Sequence, residues 1–171
     1  MILATTKKFG STETVPFGGL CWRSHKLRRV IGSTLAGETM AALEAQGILE
    51  WVKTLYAELT THSLDLRKRE DAMAKRESYH VVDAKSLFDH VRSSSPSSGV
   101  EDRRAGIDLV ILKECLARTN SVMRWAPTTL MLADVLTKDA AGPADLWRGY
   151  LASGLFGVES VEMGMATRAL A

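Results

Sequence analysis

Between Ser33 and Leu59 the residues Met40, Leu43, Ile48, Trp51, Val52, Leu55, Tyr56 and Leu59 recur every three or four positions. That is the spacing of one apolar face of an α-helix. A Ser33 or Thr34 hydroxyl is placed to cap the first amides, and at ~1.5 Å per residue the helix runs roughly 40 Å, enough to cross a whole sheet. At 100° per residue the apolar stripe centres between Leu55 and Ile48. Trp51, with Trp125 and Trp147, reads as a core or sheet-covering aromatic.

A helix of that length needs a domain around it, and 171 residues supply one of ordinary size. With 46% hydrophobic and 25% charged residues the chain has globular composition. Lys and Arg exceed Asp and Glu by only 22 to 20, so any basic surface is local. Cys21 and Cys115 stand 94 positions apart with no CxxC or Cys/His cluster, which gives neither a metal signature nor a disulfide framework. A reducing compartment follows as the default. No apolar run reaches ~18 residues, so neither a membrane span nor a signal peptide is expected. The chain is expected to be soluble and intracellular, in cytoplasm or nucleus.

Residues 1–5 and 15–25 read as two strands of a hairpin around a turn region rich in Lys, Gly and Ser. Residues 60–77 carry both signs of charge and read as a solvated connector with a helical turn or more. Ser78–Asp83 reads as a buried strand, Ala84–Val91 as a short helix and 93–99 as a loop. Helical spacing resumes over Asp102–Arg118, Val122–Ala126 is a strand that Pro127 ends, and Thr128 or Thr129 caps a helix through Leu136. A last helix covers Pro143–Ala152, with Pro near its first turn. The division expected is a domain over 1–140 followed by a helix and weakly patterned tail over 141–171.

Three carboxylates occupy informative places: Glu38 near the start of the long helix, Asp83 at a strand end, and Asp134 in the first turns after a strand. Acids converging from separate elements suit Mg²⁺, which prefers oxygen ligands; two such ions ~3.5–4 Å apart can activate water and stabilise a phosphodiester's leaving oxygen. Spacing alone selects none of them from 20 acids. Glu38 falls about 100° from the centre of the apolar stripe, at its margin, whereas Glu44 lies inside it. Each acid also has a plain reading: Glu38 as a surface glutamate, Asp83 as a helix cap, and Asp134 as an acid stabilised by a helix N-terminus.

The strings around these acids are more specific. CWRSHKLRRVIGSTLAGETMAALEA, VVDAKSLFDHV, EDRRAGIDLVILKE and RWAPTTLMLADVLTK follow one another in that order. Together they resemble the ribonuclease H domain that ends the reverse transcriptase polyprotein of copia-type retrotransposons, over roughly residues 1 to 140. The resemblance implies an α/β ribonuclease H-like fold, a mixed five-stranded sheet flanked by helices. It also implies catalytic and metal-binding roles for Glu38, Asp83 and Asp134, Mg²⁺ (or Mn²⁺) as cofactor, and cleavage of the RNA strand of an RNA/DNA hybrid.

Two departures accompany the match. The family's first catalytic Asp stands on a strand before the hairpin, whereas the first Asp here is Asp65, and Glu13 is the only acid before Glu38. The first strand of the fold is therefore expected to be missing and hydrolysis impaired. Two neighbouring strands would lose their partner, with residues 155–163 as a speculative substitute. The family's K-H-I-D string also reads Ala105, Gly106, Ile107, Asp108 here, without the histidine.

Arg23, Lys26, Arg28 and Arg29 place four cations within seven residues beside Trp22. They suit phosphates of a hybrid and equally an edge strand blunted by charge. On a strand, Lys26 and Arg28 share a face with Trp22 while Arg23 and Arg29 take the other. Alternation likewise sets His80 opposite Asp83, which makes His80 a packing or surface residue. The rival expectation is a non-catalytic nucleic-acid-binding or structural remnant.

Overall fold

The computed structural model describes residues 2–5, 15–24, 30–61, 64–128, 131–136 and 141–156. In chain order the elements are β1 (Ile2–Thr5), β2 (Val15–Cys21), α1 (Thr34–Thr61), a 3₁₀ turn (Leu66–Lys68), α2 (Arg69–Ala74), β3 (Ser78–Val82), α3 (Lys85–Arg92), α4 (Arg103–Arg118), β4 (Ser121–Trp125), a second 3₁₀ turn (Leu132–Leu136), α5 (Ala141–Ser153) and β5 (Leu155–Phe156). The chain is mixed α/β and divides into two compact units, residues 27–124 and residues 1–26 with 125–171.

In the unit over 27–124, α1 packs against α4, α2 and α3. The Ser33 hydroxyl accepts from the Ala36 amide at 3.2 Å, so the cap read from sequence is made. The facing of α1 differs from its apolar stripe. Its buried residues are Ala36, Thr39, Ala42, Gln46 and Ala57, a row centred on the opposite side of the helix from Ile48 and Leu55. Trp51 is 66% exposed, not a core or sheet-covering aromatic, and Leu55, Tyr56 and Leu59 are exposed with it.

The physical reason is the size and bonding of the inward row. Small side chains allow close helix approach, and each of the two polar members donates a hydrogen bond, while Gln46 Oε1 is buried without a partner among the described residues. Thr39 Oγ1 donates to Leu35 O at 2.7 Å, and Gln46 Nε2 donates to Thr119 Oγ1 at 2.9 Å. From α4 the row meets a helix whose own buried residues are Ala105, Gly106, Leu109, Leu112 and Leu116.

Asp102 caps α4, accepting from the amides of Arg104 (2.9 Å) and Ala105 (3.4 Å). Replacing Asp102 with Ala is expected to lower stability by about 1 kcal/mol, read as a reduced urea midpoint with unchanged slope; an unshifted midpoint would contradict the cap. At the other end Asn120 adopts a left-handed φ of 51°, a conformation Asn tolerates, and turns the chain from α4 into β4. Its side chain donates to Ala74 O at 3.0 Å.

The starts of β3 and β4 lie side by side: Ser78 N donates to Asn120 O at 3.1 Å, and the Ser78 and Ser121 hydroxyls are 2.7 Å apart. The two strands therefore run parallel, with α3 and α4 as the crossover.

In the other unit β1 and β2 form the expected antiparallel hairpin, Ala4 opposite Gly18 and Thr5 opposite Phe17. β5 adds to the other edge of β2, Val15 opposite Phe156 and Pro16 opposite Leu155. Gly154, at φ 66°, ends α5 and lets the chain turn into β5. From α5, Trp147 and Tyr150 place their rings 6.4 and 6.5 Å from the Phe17 ring.

One element differs from its sequence expectation. The segment after Pro127 is not an α-helix to Leu136: Thr128 O accepts from Met131 N and Met131 O from Asp134 N. These i→i+3 bonds close a short stretch as 3₁₀ turn; residues 129 and 130 lie outside those described. The described strands form a three-stranded sheet, β1-β2-β5, and a two-stranded one, β3-β4. Of the proposed substitute strand, only 155–156 are described, and they lie on the β2 edge rather than beside β1.

Candidate functional site

Glu38 stands in the second turn of α1, half-buried, on the wall of a cleft of ≈ 590 Å³ that Ile31, Gly32, Ser33, Thr34, Gly37 and Ala41 also line. Small residues at the entry to the helix leave this space open. Asp83 directly follows the last residue of β3 and is also half-buried.

Burial raises the Glu38 carboxyl above its ordinary range, and the negative charge of Asp83 raises it further. Burial and a like charge act in the same sense because both disfavour a second anion. The pair thus brings two carboxylates from a helix and a strand end within electrostatic reach, and a bound cation would relieve the repulsion.

Asp134 is 8% exposed and sits in the first turn of the 3₁₀ segment Leu132–Leu136, in the unit that holds the hairpin. Among the described residues, no three His, Cys, Asp or Glu side chains are arranged as a metal-ligand set. Within the unit over 27–124, Glu38 and Asp83 lie within electrostatic reach of each other.

Of the predicted basic group, Arg23 is exposed and lies beyond the end of β2 at Cys21, so strand alternation does not govern Trp22 or Arg23. Lys26, Arg28 and Arg29 lie outside the described residues. His80 is half-buried in β3, and burial pushes its imidazole down to about 4, which keeps it neutral near pH 7. Gly106, where the family string carries histidine, is buried; a Cβ there would lie 3.3 Å from Ser97 Cβ, so a larger side chain requires the 93–99 loop to move.

Sequence reasoning passed over Lys53. Its ammonium donates to Arg76 O at 2.6 Å, to Ser78 Oγ at 3.1 Å and to Thr119 O. One side chain from α1 thereby ties the start of β3 to the end of α4. The available signal was a lone lysine in a helix whose other charged residues are all glutamates.

No family model, curated protein or solved structure matches the chain.

Proposed function

We propose that residues 1–140 are a ribonuclease H-like domain of the copia-type retrotransposon kind with impaired hydrolysis. The observation that supports this most is the Glu38–Asp83 pair. The two acids are picked out by collinear motifs 45 positions apart in sequence; the charge of Asp83 raises Glu38, and Glu38 lines an open cleft. In this reading Glu38 and Asp83 would hold Mg²⁺ or Mn²⁺, and the resemblance assigns Asp134 the same role. When bound, the metal supplies Lewis acidity toward water and the scissile phosphate. The chain's own part would be to orient these carboxylates toward the ion.

The resemblance assigns a further acid that residues 1–171 do not supply, no Asp standing before Asp65, so hydrolysis by this segment alone would be impaired. Three carboxylates would hold two cations poorly.

The test is cleavage of a labelled RNA/DNA hybrid in Mg²⁺ or Mn²⁺ by the full chain and by Asp83→Asn. Cutting at the limit of detection, with metal-dependent hybrid affinity that Asp83→Asn weakens, is the expected result. Efficient cutting abolished in Asp83→Asn would overturn the impaired reading. Salt-sensitive affinity indifferent to metal would instead favour a binding module built on Arg23 and its basic neighbours.

A further inference from the structure

The stripe that α1 turns outward has a chemical complement on the same molecule. Trp51, Leu55 and Leu59 stand at i, i+4 and i+8, all exposed, and form a ridge about 12 Å long. Glu58 is exposed beside it. The helix as a whole is acidic, with Glu38, Glu44, Glu50 and Glu58 against Lys53 alone, and Lys53 spends its donors inward.

α4 has the reverse character. Its outward residues Ile107, Val110 and Ile111 are exposed, Ile107 by 60%, and exposed Arg103 and Arg104 precede them by one turn. Of the four cations of α4, Lys113 donates to Ser93 O and Arg118 pairs with Glu50 and Glu70 of the same chain, which leaves Arg103 and Arg104 as the charges at its exposed start.

We infer that the outward face of α1 docks on the outward face of α4 of a second copy, giving head-to-tail self-association. Antiparallel alignment of the two helices sets Leu55 against Ile107, Trp51 against Ile111, and Glu58 against Arg104 in one register. Apolar ridge meets apolar ridge while opposite charges meet beside it. Packing α1 on α1 would instead bring acidic helices together, which costs rather than gains.

α1 and α4 pack on each other through their buried rows, so their outward faces look away from one another. One copy cannot use both faces on the same partner, and the contact is heterologous and open-ended. Three apolar residues a side make a small interface, so association is weak and concentration-dependent.

The experiment is sedimentation equilibrium of the full chain across a wide concentration range, with Trp51→Glu and Ile107→Glu alone and mixed. The expected weight-average mass rises continuously above 18.7 kDa for the unmodified chain and stays monomeric for each variant. The mixture then forms a one-to-one complex and nothing larger, because each variant keeps the face the other has lost. A chain that stays monomeric throughout overturns the inference and leaves the α1 stripe to another protein's helix. A mass that stops at a dimer, or variants that fail to complement, overturns it in favour of a same-face contact. Both substituted positions are exposed; should either variant melt early, Leu59→Gln and Ile111→Gln repeat the cross-test.

Discussion

Truncating Leu109 to alanine is expected to cost about 3 kcal/mol, within the range for removing a fully buried leucine. The side chain is wholly inaccessible, as is Leu112 one turn-step further along α4. The loss has two parts, the transfer free energy of the deleted carbons and the cavity they leave. The cavity closes poorly here, because the residues buried on the α1 side are mostly small and cannot swing inward to fill it. Urea denaturation followed by helix ellipticity measures the effect as a lowered midpoint. A loss below about 1 kcal/mol would mean that α1 and α4 do not pack as described.

Replacing Lys53 with methionine is expected to cost about 2 kcal/mol, less than three separate charge-assisted hydrogen bonds would suggest. The magnitude is set by opposing effects. The variant leaves Thr119 O, Arg76 O and Ser78 Oγ without their common donor, but it also relieves the burial that pushes the ammonium down to about 8.

The same balance gives a pH signature. Between pH 8 and the ordinary lysine value of 10.5 the unfolded chain holds the proton that the folded chain has released. Unfolding then takes up a proton, so the native state gains stability as pH rises through that window. The stability difference between the unmodified chain and Lys53→Met therefore widens from pH 8 toward 10.5. A difference that is flat, or that narrows, contradicts a desolvated Lys53.

These two positions show what the sequence makes legible. The long helix, its Ser33 cap, the hairpin, and the strands on either side of α3 and α4 all follow from period, capping and turn chemistry. Each is decided within a few residues of chain. The facing of α1 is not. Periodicity marks a stripe of large apolar side chains, but the face that packs is selected by whether another helix can approach closely and whether Gln46 finds its partner Thr119 there. Lys53 was hidden for the same reason, since its three acceptors come from positions 76, 78 and 119.

The sheets illustrate the limit from the other side. Individual strands were readable, whereas their division between a three-stranded and a two-stranded sheet depends on which edges meet. Of the candidate site, Glu38 and Asp83 were picked out by motif, and helix geometry alone would have left Glu44 as good a choice.

The account rests on Glu38 and Asp83 sharing one cation. Mn²⁺ titration of isotopically labelled protein, followed by paramagnetic broadening of amide resonances, measures that sharing whether or not any substrate is cut. Broadening is predicted to begin together around Glu38 and around Asp83 at low Mn²⁺, and to vanish from both in Asp83→Asn while the rest of the spectrum is kept. Broadening confined to other acids, or unchanged in Asp83→Asn, would contradict it.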